Sequence, residues 1–358
     1  MQILTLSQRT LVVRAGLALV FLASLEVAAR VDDWVMRGVP LFVNYNMEQL
    51  FLDGPLGTTG RPGARYARWG IGPDGFRGPA VQPQTGQARI VTYGASETFG
   101  IYEDEGKEYP RQLEQLLNAR HTTPRFEVLN MALPGMRVGS GVRYLQEVLR
   151  RYPARYVLIY PTATHYIGVT RPYCGRPVRT PTAQTGWGRP DWRIAERSRD
   201  VIKTLLPQRL QTALRKASIA WSRRGHPALA AVPEPSLAAF ESDLRCALAA
   251  IRMAPGAEPV LVTHARRFSH AAQPDDEDWL TAWRQQYPEL EQGGFQLLER
   301  QANEIVRRVA GELGTRLVDA DAALSGHPDL FGDYSHFNNT GAARMAALLV
   351  QELGRAPP

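Results

Sequence analysis

The stretch Arg89-Ile90-Val91-Thr92-Tyr93-Gly94-Ala95-Ser96-Glu97-Thr98-Phe99-Gly100 joins a short apolar run to a turn of small and polar residues. The run 89–93 is rich in β-branched and aromatic side chains, which predicts a buried strand. Ser96 follows between small residues, where a sharp turn leaves a hydroxyl exposed. Near the far end, Asp333-Tyr334-Ser335-His336 places a carboxylate three residues before an imidazole. Acyl transfer needs these groups, because serine attacks, histidine moves the proton and aspartate orients the imidazole.

Outward from this stretch, predicted strands alternate with amphipathic segments. Strands are expected at 89–93, 126–130, 155–160, 259–263 and 315–319, and helices near 109–120, 139–151, 236–253, 291–313 and from about 340. This alternation implies right-handed crossovers and a parallel sheet with helices on both faces, so the expected fold class is an α/β, three-layer α/β/α sandwich. The segments 94–100, 130–135 and 160–165 follow strand ends, at the edge where open α/β sheets bind ligands.

These blocks, in this order, resemble the SGNH (GDSL-like) hydrolase family. Its first block, Gly-Asp-Ser-x-Thr-x-Gly, corresponds to 94–100, with Ala95 in place of the aspartate. Its second block, an asparagine followed five residues later by glycine, corresponds to Asn130-Met131-Ala132-Leu133-Pro134-Gly135, and its last block, Asp-x-x-His, to 333–336. In the third block, Thr164 and His165 stand where the family has asparagine and aspartate. The resemblance covers about residue 89 to the C-terminus.

The resemblance implies a flavodoxin-like domain and a serine esterase that works through an acyl-Ser96 intermediate, with Asp333 and His336 completing the triad. It also implies an oxyanion hole made by the backbone N–H groups of Ser96 and Gly135 and by the side chain of Thr164. A threonine hydroxyl is shorter than the amide it replaces, and His165 is a second possible donor. Losing one such donor costs about a hundred- to a thousandfold in rate.

The expected substrates, again from the resemblance, are acyl esters, above all O-acetyl groups, of an extracytoplasmic glycan, with another small ester, a lipid or a thioester as open alternatives. Two alternative functions remain open. One is an O-acyltransferase that uses the same triad. The other is a catalytically lapsed glycan-binding or scaffold protein of a polysaccharide assembly system, which the altered third block favours.

The N-terminus resembles a membrane segment. Arg9 and Arg14 precede an unbroken apolar run, 15–25, and Glu26 follows it. The run is shorter than the roughly 20 residues of a spanning helix, but the flanking side chains can reach the interface. We expect a signal anchor; a cleaved signal peptide and a buried or interfacial helix of a cytosolic protein are the alternatives.

Anchored members of the resembled family in bacterial surface-polysaccharide clusters carry a Gly-Phe-Arg-Gly element between anchor and nucleophile, as does this chain at 75–78. The resemblance therefore implies a single-pass protein of the bacterial inner membrane with a periplasmic catalytic domain. The expected organisation is an anchor at 1–30, a stalk rich in glycine and proline at 31–88 that wraps onto the domain, and the hydrolase domain at 89–358.

An insertion at about 166–235 interrupts the alternation, with a mixed helical patch near 197–222. It contains Trp187, Trp192 and Trp221. It is either a cap that covers the active site or a surface insertion without a role in binding. The segment 268–290 has the same two interpretations. Its aromatic residues either stack on sugar rings of a substrate or pack against the insertion. These residues are Trp279, Trp283 and Tyr287.

Composition and the remaining motifs exclude several classes of function. The formal charge is +7, but the cations are scattered arginines with lysine only at 107, 203 and 216, which argues against a nucleic-acid partner. The sequence shows no dinucleotide or phosphate-binding motif, so no cofactor is expected. Cys174 and Cys246 lack zinc spacing and either form a disulfide or are unrelated thiols. No metal site is expected: His264 and His270 lack acidic partners at metal-binding spacing, and the run Asp275-Asp276-Glu277-Asp278 is expected to be a solvated loop.

Overall fold

The computed structural model describes residues 6–41, 47–83, 87–120, 125–177, 192–224, 228–269 and 276–354. The helices are α1 Leu6–Arg37, α2 Ser96–Phe99, α3 Tyr109–Arg120, α4 Val142–Arg151, α5 Arg193–Leu205, α6 Gln208–Ser222, α7 Glu234–Arg252, α8 Glu277–Gln286, α9 Gln292–Glu312, α10 Ala320–Leu324 and α11 Asn339–Leu353. The strands are β1 Phe51–Gly54, β2 Gly57–Gly60, β3 Arg65–Tyr66, β4 Trp69–Gly70, β5 Ala88–Gly94, β6 Phe126–Asn130, β7 Tyr156–Tyr160, β8 Glu258–Val262 and β9 Arg316–Val318.

A five-stranded parallel sheet of order β6-β5-β7-β8-β9 forms the centre of the molecule. Counted within the sheet, this is the order 2-1-3-4-5 of flavodoxin-like folds. The predicted α/β fold class is therefore confirmed, and each predicted strand overlaps an observed one. The strand order reverses between β5 and β7, which creates a crevice at the carboxyl ends of these two strands.

Both faces of the sheet are covered, which explains why its strands are continuously apolar. In β7, the side chains alternate: Tyr156, Leu158 and Tyr160 join the core under α3 and α11, and Val157 and Ile159 join the core under α4, α7 and α9. The structure thus has three layers. The predicted helix at 139–151 begins with a 3-10 turn at Val138–Gly141 before α4.

The N-terminal helix α1 has 32 residues and extends past the expected anchor. It is the one helix among the described residues that is long and apolar enough to cross a membrane, a property that signal sequences and core helices of soluble proteins share. Its last turns carry the ion pairs Arg30–Glu26 (2.7 Å) and Arg37–Asp33 (3.0 Å). Gly38, with a φ of +64°, follows the helix and adopts the left-handed conformation that commonly ends one.

The chain between α1 and β5 packs against the domain. It forms two hairpins, β1–β2 and β3–β4, and then buries Phe76 and Arg77. The Arg77 guanidinium donates to the carbonyls of Phe99 and Gly100, and the Arg77 N–H donates to the Asn130 carbonyl at 3.0 Å. This residue of the Gly-Phe-Arg-Gly element therefore ties the end of α2 to the sheet.

The described part of the insertion contains α5 and α6, which overlap the helical patch predicted near 197–222; Trp187 lies outside the described residues. Cys174, near its start, forms a disulfide with Cys246 on α7, with 6.5 Å between the Cα atoms. The prediction of a solvated loop at 275–278 was wrong for its described residues, because Asp276 is buried and Glu277 begins α8. Acidic residues favour a helix start, since they face the positive end of the helix dipole.

Candidate active site

Ser96 lies at the point where the strand order of the sheet reverses. It follows β5 and begins α2, beside the end of β7, where Gly94 pairs with Tyr160. A Cβ atom at Gly94 would lie 2.2 Å from Thr98 Oγ1 and 2.8 Å from the Tyr160 carbonyl oxygen. Only glycine therefore allows this close turn, which presents the Ser96 side chain at the carboxyl edge of the sheet.

The structure brings Ser96, His336 and Asp333 together in one hydrogen-bonded chain. The distance from Ser96 Oγ to His336 Nε2 is 2.8 Å. On the other side of the ring, His336 Nδ1 lies 2.8 Å from Asp333 Oδ2 and 3.0 Å from Oδ1. This order of hydroxyl, imidazole and carboxylate is the arrangement that activates a serine for attack.

The loop that carries His336 is held in place from both sides. Asp333 Oδ1 accepts the N–H groups of Ser335 and His336, each at 2.9 Å. After the loop, the Asn338 side chain caps α11 by accepting the N–H groups of Thr340 and Gly341, each at 3.0 Å. The Asp-x-x-His spacing thus lets one carboxylate fix both the backbone of the loop and the orientation of the imidazole.

Electrostatics at the triad favours the charged form of the histidine. Burial alone would lower the pKa of His336, but the Asp333 carboxylate, followed by Glu97 and Glu103, raises this pKa to about 9. Burial would raise the pKa of Asp333, but its contacts with His336 outweigh burial and lower it. Burial raises the pKa of Glu103 to about 8.

Glu97, the residue after the candidate nucleophile, is a buried carboxylate to which the sequence analysis assigned no role. Its Oε2 accepts the Thr162 hydroxyl at 2.8 Å and lies 3.3 Å from Ser96 Oγ, and its Oε1 accepts the Ser335 hydroxyl at 3.3 Å. Burial would raise its pKa, but the His264 hydrogen bond and the charges of His336 and His264 lower it. A negative charge therefore lies directly beside the triad.

His264 connects this carboxylate to a second buried acid. Its Nε2 lies 3.5 Å from Glu97 Oε1, and its Nδ1 lies 2.7 Å from Glu299 Oε2. Burial would lower the pKa of His264, but Glu299 and Glu97 raise it to about 10. These two acidic partners of His264 were not predicted, because Glu97 and Glu299 are distant from it in sequence; His270 lies outside the described residues. The sequence signal that could have indicated a role for His264 is its position just after the predicted strand that corresponds to β8, since the ends of these strands meet at one edge of the sheet.

The residues expected in the oxyanion hole lie on the loops after β6 and β7. Gly135 is exposed and has a φ of +77°, a conformation that favours glycine. The buried Thr164 side chain lies within hydrogen-bonding reach of the Tyr287 hydroxyl. His165 Nδ1 lies 3.3 Å from the Met136 carbonyl, and burial lowers the pKa of His165. A neutral ring with its proton on Nδ1 leaves an acceptor at Nε2, which favours Thr164 over His165 as the third donor.

A cavity of about 680 Å³ opens beside Gly135. Tyr173 lies in its wall between two guanidinium groups, at 4.8 Å from Arg137 and 4.3 Å from Arg176. None of the described residues that line this cavity is acidic, although the buried Asp243 carboxylate holds the Tyr173 N–H at 2.9 Å. The cavity is therefore positively charged at the side next to the expected oxyanion hole.

Aromatic residues of the segment 268–290 pack the domain more than they line a surface. Trp283 is buried between Phe295 and Tyr334, with ring centroids 4.5 and 4.8 Å away. Tyr287 contacts the Thr164 side chain, and Trp279 faces the Arg267 guanidinium at 4.3 Å. Trp283 thus supports the loop of His336 through Tyr334.

The chain is similar to several solved structures. A lipase/acylhydrolase from Enterococcus faecalis is 14% identical, with 76% of this chain and 98% of that chain covered and a TM-score of 0.44. A catalytic mutant of an acetylxylan esterase from Geobacillus stearothermophilus is 14% identical, covering 75% and 95%, with a TM-score of 0.44. A member of the lipolytic protein G-D-S-L family from Veillonella parvula is 14% identical, covering 75% and 100%, with a TM-score of 0.40.

No protein-family model matches the chain, and no curated protein matches it in sequence.

Proposed function

We propose that this protein is a serine esterase that cleaves acyl esters through an acyl-Ser96 intermediate. The observation that carries the proposal is the hydrogen-bonded chain from Ser96 Oγ through His336 to Asp333, with 2.8 Å at each of its two contacts. An intact chain of this kind at the carboxyl edge of the sheet supports catalysis over a lapsed binding role.

In the first step, Ser96 Oγ forms a bond to the acyl carbon while its proton moves to His336 Nε2. Asp333 stabilises the imidazolium that results. The backbone N–H groups of Ser96 and Gly135, together with the Thr164 hydroxyl, stabilise the negative oxygen of the tetrahedral intermediate. His336 then returns the proton to the leaving alcohol, and water attacks the acyl-enzyme by the same route in reverse to release the acid.

We further propose that the substrate is an O-acetylated glycan outside the cytoplasm of a bacterium, with α1 as a single-pass anchor in the inner membrane. The resemblance of the sequence blocks supports the glycan substrate. The exposed apolar side chains of α1 and the Cys174–Cys246 disulfide support the location, since disulfides persist in oxidising compartments.

The esterase is tested by measuring acetate release from 4-nitrophenyl acetate and from acetylated xylan by the full chain in detergent. We expect turnover by the native protein and a loss of about a thousandfold or more in Ser96→Ala. Ser198→Ala is the matched control, because Ser198 is exposed on α5 and its hydroxyl donates to the Ala195 carbonyl of the same helix at 3.1 Å. Equal turnover by Ser96→Ala and the native protein would remove Ser96 from the reaction.

The location is tested with alkaline phosphatase fused to the C-terminus, since this enzyme is active only outside the cytoplasm. We expect an active fusion in the membrane fraction and an N-terminus that still contains α1. A fusion that is active but soluble, with α1 removed, would indicate a cleaved signal peptide. An inactive fusion together with an active cytoplasmic reporter would contradict the periplasmic location.

A further inference from the structure

Helix α6 presents an apolar stripe to the outside of the molecule. Leu210, Leu214 and Trp221 follow one another at intervals of four and seven residues, which places them on one face of the helix. Their exposed fractions are 46%, 55% and 65%. The opposite face is the one that packs against the domain beside α8, through the buried residues Thr212 and Ile219. Helix α6 therefore has a second apolar face beyond the one that the fold uses.

Helix α5 has the same property. Val201, Ile202 and Leu205 are exposed by 57%, 55% and 76% and lie within one turn of each other. Trp192, directly before the helix, is exposed by 54%. Exposed large apolar side chains are ordinary when they are scattered, but a set that recurs on two consecutive helices marks an interaction surface. We call these residues of α5 and α6 the outer face of the insertion.

The described part of the insertion contacts α1 through the start of α5. The Glu26 carboxylate accepts the N–H groups of Arg193 and Ile194, at 3.2 and 3.0 Å, and so caps the start of α5. One turn further along, Arg197 forms ion pairs with Asp32 at 2.7 Å and with Asp33 at 2.9 Å. The start of α5 is thus fixed to the segment of α1 that directly follows the apolar run.

The position of this attachment along α1 sets its depth in a bilayer. Thr10 and Glu26 are 16 residues apart, which in a helix corresponds to roughly 24 Å. The hydrocarbon core of a bilayer is about 30 Å thick. If the segment from Thr10 to Glu26 lies in this core, with the Arg14 side chain extending to the interface, Glu26 and the start of α5 lie at the boundary between hydrocarbon and headgroups.

The charge of α6 fits a membrane surface. Residues 208–224 contain no acidic residue and five basic ones, Arg209, Arg215, Lys216, Arg223 and Arg224. Of these, Lys216 forms an ion pair with Glu277 at 2.6 Å. Basic amphipathic helices with tryptophan at their apolar face bind the interface of bilayers that contain anionic lipids. Trp221, with the Arg224 guanidinium 3.6 Å from its ring centroid, is such a residue.

We infer that the outer face of the insertion lies on the same membrane that α1 crosses, with its apolar side chains in the interface and its basic side chains among anionic headgroups. This inference rests on the proposed anchor. It makes the insertion a second membrane contact, which fixes the orientation of the catalytic domain to the bilayer instead of leaving it on a free stalk.

The test places a nitroxide label at single introduced cysteines of the full chain, reconstituted in nanodiscs of phosphatidylethanolamine and phosphatidylglycerol. The native cysteines are paired, so they do not take the label. Leu214→Cys reports on the outer face and Leu19→Cys on α1. Met253→Cys is the control, because Met253 is 81% exposed and directly follows α7, so it belongs to neither α5 nor α6. Collisions of each label with oxygen, which concentrates in lipid, and with a water-soluble nickel chelate give its depth.

We expect labels at 19 and 214 to collide mainly with oxygen and the label at 253 to collide mainly with the nickel chelate. A label at 214 that behaves like the one at 253, while the label at 19 is in lipid, would overturn the inference and leave the anchor intact. A label at 214 that neither reagent reaches would also overturn it, because another segment of the chain would then cover the outer face. A label at 19 in water would overturn both the anchor and the inference.

Discussion

The charge beside the candidate nucleophile distinguishes this site from an isolated triad. Ser96 Oγ lies 2.8 Å from His336 Nε2 and 3.3 Å from Glu97 Oε2, so the imidazole is close to two carboxylates, Asp333 and Glu97. A histidine can accept the serine proton only in its neutral form. Because its pKa is raised to about 9, we expect His336 to be mostly charged at neutral pH and the proposed esterase to be less active there.

The raised pKa of His336 predicts that esterase activity increases with pH. We expect kcat/KM for 4-nitrophenyl acetate to rise about tenfold per pH unit from pH 7 and to level off near 9, since this constant reports the ionisation of the free enzyme. The variant Glu97→Gln removes the negative charge of the Glu97 carboxylate and keeps the size and shape of the side chain. The rising limb should then move to lower pH by about one unit.

The matched control for this experiment is Glu105→Gln, because Glu105 is exposed and pairs with Arg65 at 2.6 Å. We expect the pH profile of this variant to equal that of the native protein. Identical profiles for Glu97→Gln and Glu105→Gln, in folded proteins, would mean that Glu97 does not set the pKa of the catalytic base.

In the proposed mechanism, the strength of the oxyanion hole depends on Thr164. Thr164→Val keeps the shape and removes the hydroxyl, so kcat should fall by about a hundredfold with little change in KM. Thr164→Asn supplies the longer amide and should keep or raise kcat. Unchanged kcat in Thr164→Val, or a large loss in a folded Thr164→Asn variant, would remove Thr164 from the oxyanion hole.

At the scale of elements, two connections hold the loops around the site. Arg77 links the segment before β5 to the end of α2, and the Cys174–Cys246 disulfide links the start of the insertion to α7. Tyr173, next to the disulfide, forms part of the cavity beside Gly135. The disulfide therefore positions a wall of the cavity as well as stabilising the fold.

The disulfide closes a loop of 72 residues. In the chain-entropy description, such a crosslink stabilises the folded state by about 4 kcal/mol, which corresponds to roughly 10 °C in melting temperature. We expect the double variant Cys174→Ala with Cys246→Ala, measured by thermal unfolding in detergent, to melt lower by this amount. Reducing agent should lower the melting temperature of the native protein but not of the variant. Equal melting of both proteins, with two free thiols titrated in the native one, would contradict the pairing.

The elements of the sheet could be predicted because their sequence signals are local. Strands such as β5 and β7 are short apolar runs, and Asp333 and His336 are three residues apart, so period and spacing reveal them. The long-range contacts could not be predicted in this way. Glu97, His264 and Glu299 come from three separate elements and meet only in the folded sheet, and the choice between paired and free cysteines depends on a distance that sequence does not contain.

For the whole molecule, the sequence predicted an apolar N-terminal segment but not its attachment to the domain. The Glu26 and Asp33 side chains of α1 bind α5 from positions that look, in sequence, like ordinary flanking charges. The insertion could not be classified as cap or decoration because both have mixed composition. The outer face of the insertion could not be predicted either. Leu214 and Ile219 are both apolar, and only the structure shows that Ile219 is buried and Leu214 is exposed.

The central claim is that Ser96 is an activated nucleophile, and a fluorophosphonate probe tests it most directly. Such probes react covalently with a serine only when a base has activated it. We predict that the native protein gains a single adduct, that peptide mass spectrometry places the adduct on Ser96, and that labelling is lost in Ser96→Ala and slowed in His336→Ala. A folded native protein whose Ser96 stays unlabelled at about pH 10, above the His336 pKa of about 9 so that the imidazole is largely neutral, would contradict the claim.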